Sequence, residues 1–217
     1  DLSGANLSGA NLTDVSLSGA NLCNASVIGA DLTGADLTGA SLTGADVTRV
    51  NLMGATLSDT DLAGANLTGA VLSDRDLRSV KLTAANLADS DLRSVNLTGV
   101  DLCGVNLTGA NLTGTNLAGA NLTDTNLSGA DLTHTDLSGA NLTGANLAGA
   151  NLTGAHLRQS NFTGMVLTDV KLSGVDLTGS NLAGADLTEV NLTGATLINV
   201  DLSGANLSGA NLTDVSL

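Results

Sequence analysis

Hydrophobic residues fall on a strict five-residue grid. Every fifth position from Leu2 to Leu217 is Leu except Val27, Val47 and Phe162, and no insertion or deletion disturbs the frame. Two positions before each grid residue, from Ala5 to Val215, the chain carries 23 Ala, 11 Val, 4 Thr and 3 Ser, so this site demands something small; Arg75 and Met165 are the exceptions. The residue just before the grid position is Asn in 20 cases and Asp in 13. The one just after is mostly Ser or Thr, and the next site holds all 27 glycines.

A period of five suits neither an amphipathic helix nor an alternating strand, whose periods are 3.6 and 2. On a helix of about 100° per residue, successive grid positions would turn by about 140° and scatter the leucines around the cylinder. Glycine in the helix interior would cost roughly 1 kcal/mol at each occurrence. A solenoid removes the conflict. Each quintet makes one short side and one corner, Leu and the small residue point inward, and the other three face water. Gly then sits at the corner, where it adopts positive φ most easily. Where Gly is replaced, Asp14, Asn24, Asp59, Asp74, Asp89, Asp124, Asp169, Asn199 and Asp214 are types that tolerate that backbone. Arg49, Ala84, Gln159 and Glu189 tolerate it less, so the expectation there is another turn type.

The units Ala-Asn-Leu-Thr-Gly and Ala-Asp-Leu-Ser-Gly, repeated over the whole chain, resemble the pentapeptide-repeat proteins with their A(D/N)LXX consensus. That resemblance implies an all-β fold, a right-handed quadrilateral parallel β-helix with four units per coil. It would give about 11 coils and a rod of about 52 Å at the usual strand spacing. Residues 1–217 are expected to form one continuous solenoid, stabilised coil by coil through nearest-neighbour stacking.

Composition supports an unusual interior. There is no Pro, Trp or Tyr and one Phe, so stacked Leu must supply the apolar burial that aromatic side chains provide elsewhere. Hydrophobic residues make up 42% of the chain, which argues against disorder despite a net charge of −14. No apolar run is long enough for a membrane span, and Asp1–Ala10 lacks the features of a signal peptide.

With 20 residues per coil, columns follow directly from the numbering. Asp61, Lys81 and Asp101 share one, in which Lys81 relieves repulsion between the aspartates. Asn106, Asn126 and Asn146 share another and are expected to form an amide ladder. Arg75, in a small-residue site between Ala55 and Val95, must escape or distort the wall. It either snorkels through a corner or makes a notch with Asp74, Asp76 and Arg78. Met165 is expected to swell its layer beside Val166, and Arg158 and Lys171 form a weak basic stripe. His134 and His156 face outward without a third ligand. Cys23 and Cys103 lie four coils apart in one column, about 19 Å, too far for a disulfide. No catalytic, cofactor-binding or metal-ligating residue and no cofactor is expected, and an evenly filled solenoid would leave no pocket.

A longer period overlies the short one: residues 1–17, DLSGANLSGANLTDVSL, recur unchanged as residues 201–217. Their separation of 200 residues is ten whole coils, which suggests one super-repeat plus overlap from a longer array. Open terminal coils, which invite pairing, then predict end-to-end self-association and a structural, non-catalytic fibre or spacer. The alternative is an acidic module similar to the DNA-mimicking, topoisomerase-binding pentapeptide proteins, with a protein partner on an acidic face. B-form DNA carries one charge per about 1.7 Å, roughly twice the density available here, and no partner-binding residue carries over. Nucleic acid is not an expected partner. Thr113, Thr133 and Thr153 form a column of the kind that binds ice, but Arg93 and Ser173 interrupt it. A long fibre would suit the cell surface or exterior and a short rod the cytoplasm.

Overall fold

The computed structural model describes residues 1–217, and all its bridges are parallel and join residues 20 apart, from Asn6–Ser26 to Thr196–Ser216. Four quintets therefore make one turn of the chain. Each side contributes a single bridged residue, the one before the inward Leu, and each corner is a two-residue turn. There is no α-helix, and so none long and apolar enough to cross a membrane.

The consensus follows from where the backbone donors go. In the quintet around Leu12, the Leu12 N–H donates to Asp31 O in the next coil at 2.7 Å, and Asp14 N–H donates to Thr33 O at 2.9 Å. Val15 N–H closes the corner on Leu12 O at 3.2 Å, and Asp31 N–H returns to Ala10 O at 3.0 Å. The fifth donor, on the residue after the Leu, has no backbone acceptor. In the next coil the N–H of Thr33 goes to Asp31 Oδ1 at 3.1 Å, and the Thr33 hydroxyl donates to the same oxygen at 2.5 Å. Asn or Asp before the Leu, with Ser or Thr after it, is thus a cap built into every regular quintet, satisfying a group that is otherwise costly to leave unpaired.

The interior is one cluster of 62 buried hydrophobic residues, with Leu67, Leu107, Leu112 and Leu152 at 0% exposure. Each such Leu contributes about 1.5–3 kcal/mol of burial. The inward hydroxyls are matched as well. Thr60 and Thr115 donate to the carbonyls of Leu37 and Leu92 at 2.9 and 2.6 Å, and Ser90 donates to Leu87 O at 2.7 Å. No buried side-chain polar atom lacks a partner.

The corners correct one expectation. Arg49, Ala84, Gln159 and Glu189 all take positive φ, between 54° and 59°, as the glycines do. At three of them the stack supports it, while Ala84 keeps the same φ without a bond to the next coil: the N–H groups of Arg49, Gln159 and Glu189 each meet a carbonyl of that coil at 2.8–2.9 Å. That geometry outweighs a left-handed cost of roughly 1–2 kcal/mol per residue. The corners that depart are Ser79 and Asp169, which are absent from the positive-φ set although Asp169 is a tolerant type. Side-chain tolerance does not select them, and at both the N–H has no carbonyl of the next coil to meet.

Both lie at interruptions of the ladder. Inside the rod, four consecutive-coil pairs lack a bridge: Thr56–Asp76, Lys81–Asp101, Asn146–Val166 and Lys171–Asn191. They form two breaks, each a pair of gaps on adjacent sides, the second gap one coil further on because the Asp61–Lys81 and Asn151–Lys171 bridges are intact. Each pair begins at an oversized residue in a small-residue site, Arg75 or Met165. The expected pocket-free wall is therefore corrected too, because shallow clefts open at both.

Candidate functional site

Three features of this rod could engage something else: its polar sides, the two breaks and the outermost coils. On the sides, the carboxylates are held by the caps. The Thr33, Thr38 and Thr188 hydroxyls, and then the N–H groups of the same residues, hold the carboxyls of Asp31, Asp36 and Asp186 below the usual carboxylate range. Ser203 does the same for Asp201. Arg78 and Arg93 stand where Ser or Thr usually stands and pair with Asp76 and Asp91 at 2.6 Å, lowering those carboxyls in turn. Because each folded pKa lies below its unfolded value, this stabilisation is complete above the unfolded pKa. It is lost as pH falls through the folded one. Acidification below about pH 4 should therefore lower the thermal midpoint followed by circular dichroism. Asp31→Asn, Asp36→Asn and Asp186→Asn together should flatten that dependence, since Asn accepts the same bonds without titrating. A midpoint that rises on acidification would refute the cap account.

The columns read from the sequence are partly assembled. Lys81 Nζ donates to Asp61 Oδ2 at 3.2 Å, but its bridge to Asp101 is missing, so Lys81 relieves only one neighbour. Asp101 instead accepts from Asn121 Nδ2 at 2.9 Å. Amide ladders run through Asn66, Asn86 and Asn106 at 3.1 and 2.8 Å and from Asn146 to Asn126 at 3.1 Å. Asn106 and Asn126 share a backbone bridge, with no side-chain bond between them.

Arg75 both escapes and distorts. Half-buried, it sends Nε to Ser73 O at 3.2 Å and Nη1 to Ala55 O at 3.4 Å, while Asp76 pairs with Arg78. The Asp59 N–H, deprived of a carbonyl partner, takes Ser79 Oγ at 3.0 Å. Met165 is buried, Val166 beside it is 67% exposed, and a cleft of about 350 Å³ separates the Ala145 and Met165 coils. Arg158 approaches Asp176 at 3.7 Å, so the basic stripe is partly neutralised. His134 and His156 are exposed, Cys23 and Cys103 are free thiols, and no three His, Cys, Asp or Glu side chains converge on a metal-sized point.

Acidic side chains fall five or six to each of the four sides, so none stands out as an acidic face. The outermost coils differ from the rest in their leucines. Leu2, Leu7, Leu12 and Leu17 at one extreme, and Leu202 and Leu207 at the other, are only partly covered, and Leu212 is 46% exposed.

The sequence pattern described as pentapeptide repeats (8 copies) matches residues 1–39, 35–74, 76–109, 106–144, 145–184 and 176–214. HetL, a pentapeptide repeat protein involved in heterocyst differentiation regulation from the cyanobacterium Nostoc sp. strain PCC 7120, is 35% identical. That match covers 100% of this chain and 89% of HetL, with a TM-score of 0.43. A pentapeptide repeat protein of the Arabidopsis thaliana thylakoid lumen is 32% identical over 61% of this chain and 68% of its own, with a TM-score of 0.28. QnrB1, a plasmid-mediated fluoroquinolone resistance protein, is 19% identical over 90% of each chain, with a TM-score of 0.32. No curated protein sequence matches significantly.

Proposed function

Because the chain belongs to the pentapeptide-repeat family, whose members form right-handed quadrilateral β-helices, we propose that it is a structural, non-catalytic rod of about 11 coils that extends by coaxial stacking. The observation that carries this reading is the identity of residues 1–17 and 201–217 at a separation of ten whole coils. Within the chain, residues 21–36 already stack on residues 1–17, with Leu2 N–H on Asn21 O and Leu17 N–H on Asp36 O, both at 2.7 Å. Residues 201–217 present the same side chains at the same angular positions, so they offer the same platform to a further coil. If the further coil is residues 1–17 of a second copy, Leu meets Leu, Ala meets Ala, and Asn6 and Asn11 meet Asn206 and Asn211 as an amide ladder. A head-to-tail contact of this kind does not close and generates filaments.

Sedimentation and negative-stain imaging of the purified chain test this. Rods of increasing length should appear as concentration rises. Leu7→Lys with Leu207→Lys, which place charges on the exposed platforms and leave the central coils alone, should leave single rods. A chain that stays a 21.3 kDa monomer at every concentration would overturn the proposal.

The alternative, an acidic module for a protein partner, is favoured by the net charge of −14. The even division of that charge among four sides supports it less than concentration on one side would.

A further inference from the structure

The two breaks are the same lesion filled differently. Ninety residues on from Ala55, Leu57, Ser73 and Arg75 stand Ala145, Leu147, Thr163 and Met165. Ninety residues is four and a half coils, so the breaks lie on opposite sides of the rod. At both, the bridge is lost and the N–H of Leu57 or Leu147, and of Asp76 or Val166, finds no backbone acceptor. At the first break the opening is plugged. The Arg75 guanidinium bonds the Ser73 and Ala55 carbonyls, and Ala55 beneath it is 4% exposed.

Met165 cannot do the same. Its side chain has no N–H to offer and is turned into the core at 4% exposure. The carbonyls of Ala145 and Thr163, counterparts of Ala55 and Ser73, receive no backbone donor, and Ala145 is only half-buried. The resulting cleft of about 350 Å³ has apolar walls from Ala145, Leu147, Met165 and Val166, and the acidic residue Asp169 also lines it. The one nearby cation, Lys171, lines the adjoining cleft with Asp169 and Glu189.

We propose that the cleft between Ala145 and Met165 receives an arginine side chain from a partner polypeptide, seated as Arg75 is seated in the first break. The alkyl stem covers the apolar walls and the planar guanidinium donates to the free carbonyl of Ala145 while its other N–H groups face Asp169, a set of donors that a single ammonium does not match. Asp169 and the net charge of −14 complement the cation.

An amide-resolved NMR titration of the whole chain with N-acetyl-arginine N-methylamide tests this, with the lysine and the uncharged citrulline counterparts as comparisons. A single side chain should bind saturably in the millimolar range and shift the amides of Leu147 and Val166. Citrulline should bind at least about tenfold more weakly, for loss of the charge-assisted bonds. Met165→Arg supplies the plug in the chain itself, and Met165→Ala restores the commonest residue of that site and lets the wall close. Both should abolish the titration, and the alanine variant decides if the arginine variant fails to fold. Unchanged binding in Met165→Ala, equal binding of citrulline, or no saturable shift in the wild type would each overturn the proposal.

Discussion

Leu112→Asp should break the rod in two as a cooperative unit. Leu112 is fully buried at mid-chain, and its removal alone, as in Leu112→Ala, should cost about 2–5 kcal/mol. The aspartate adds an unpaired buried charge, whose effective penalty is several kcal/mol. Together these consume much of the roughly 5–15 kcal/mol that holds a typical domain folded. Arg75 is the natural comparison, since it also places a charge in an inward site and the chain tolerates it. Its long stem reaches the Ser73 and Ala55 carbonyls at the wall. Aspartate is too short to leave the core and brings an acceptor to a place where the broken wall offers carbonyls. Stability in a solenoid is nearly a sum of neighbouring interfaces, so the damage should show as two unfolding steps or as early proteolytic separation of the halves. Denaturant unfolding beside Leu112→Ala measures it, and a difference below about 1 kcal/mol between the two variants would contradict the expectation.

The second large effect concerns the frame. Removing Gly114 alone moves every following residue by one site, so Asn116 enters the small-residue position and Leu117 enters the capping position on the outer wall. A one-residue slip in a half-buried sheet exchanges inside for outside in the same way. The chain must then unfold its second half or absorb the slip in a local bulge, losing at least the ladder bonds of two sides as at the Arg75 break. Several kcal/mol of destabilisation should follow, at about 1 kcal/mol per lost bond and more for each donor left dry. Removing the whole quintet Asn111–Thr115 should change stability by no more than about 1–2 kcal/mol, even though it deletes more residues. The downstream coils turn by one side and every Leu still meets a Leu. Equal losses for the two deletions, measured by denaturant midpoint, would show that coil partners rather than the five-residue frame hold the rod.

The five-residue grid by itself determined the inward and outward sites and the rejection of a helix, because each quintet repeats one environment; that four quintets close one coil was implied by the family resemblance and shown by the bridges between residues 20 apart. Leu and Ala must be covered, Asn or Asp must cap a donor that the ladder leaves over, and Gly must turn the corner; these needs arise within five residues of chain. The sequence also marked Arg75 and Met165 as exceptions at the small site. Their consequences depended on residues about 20 positions away. Arg49, Gln159 and Glu189 are poor corner residues by type, yet they take positive φ with their N–H groups on carbonyls of the next coil, and Ala84 takes it without one. Asp169 is a good one and departs from it, and Ser79 departs while Ser94 does not. Only the tertiary structure decided where the coils part and that the Arg75 opening is plugged while the Met165 opening is not. Those outcomes turn on whether a donor in one coil reaches an acceptor in the next, a distance that a periodic sequence leaves equal everywhere until a side chain pushes the coils apart.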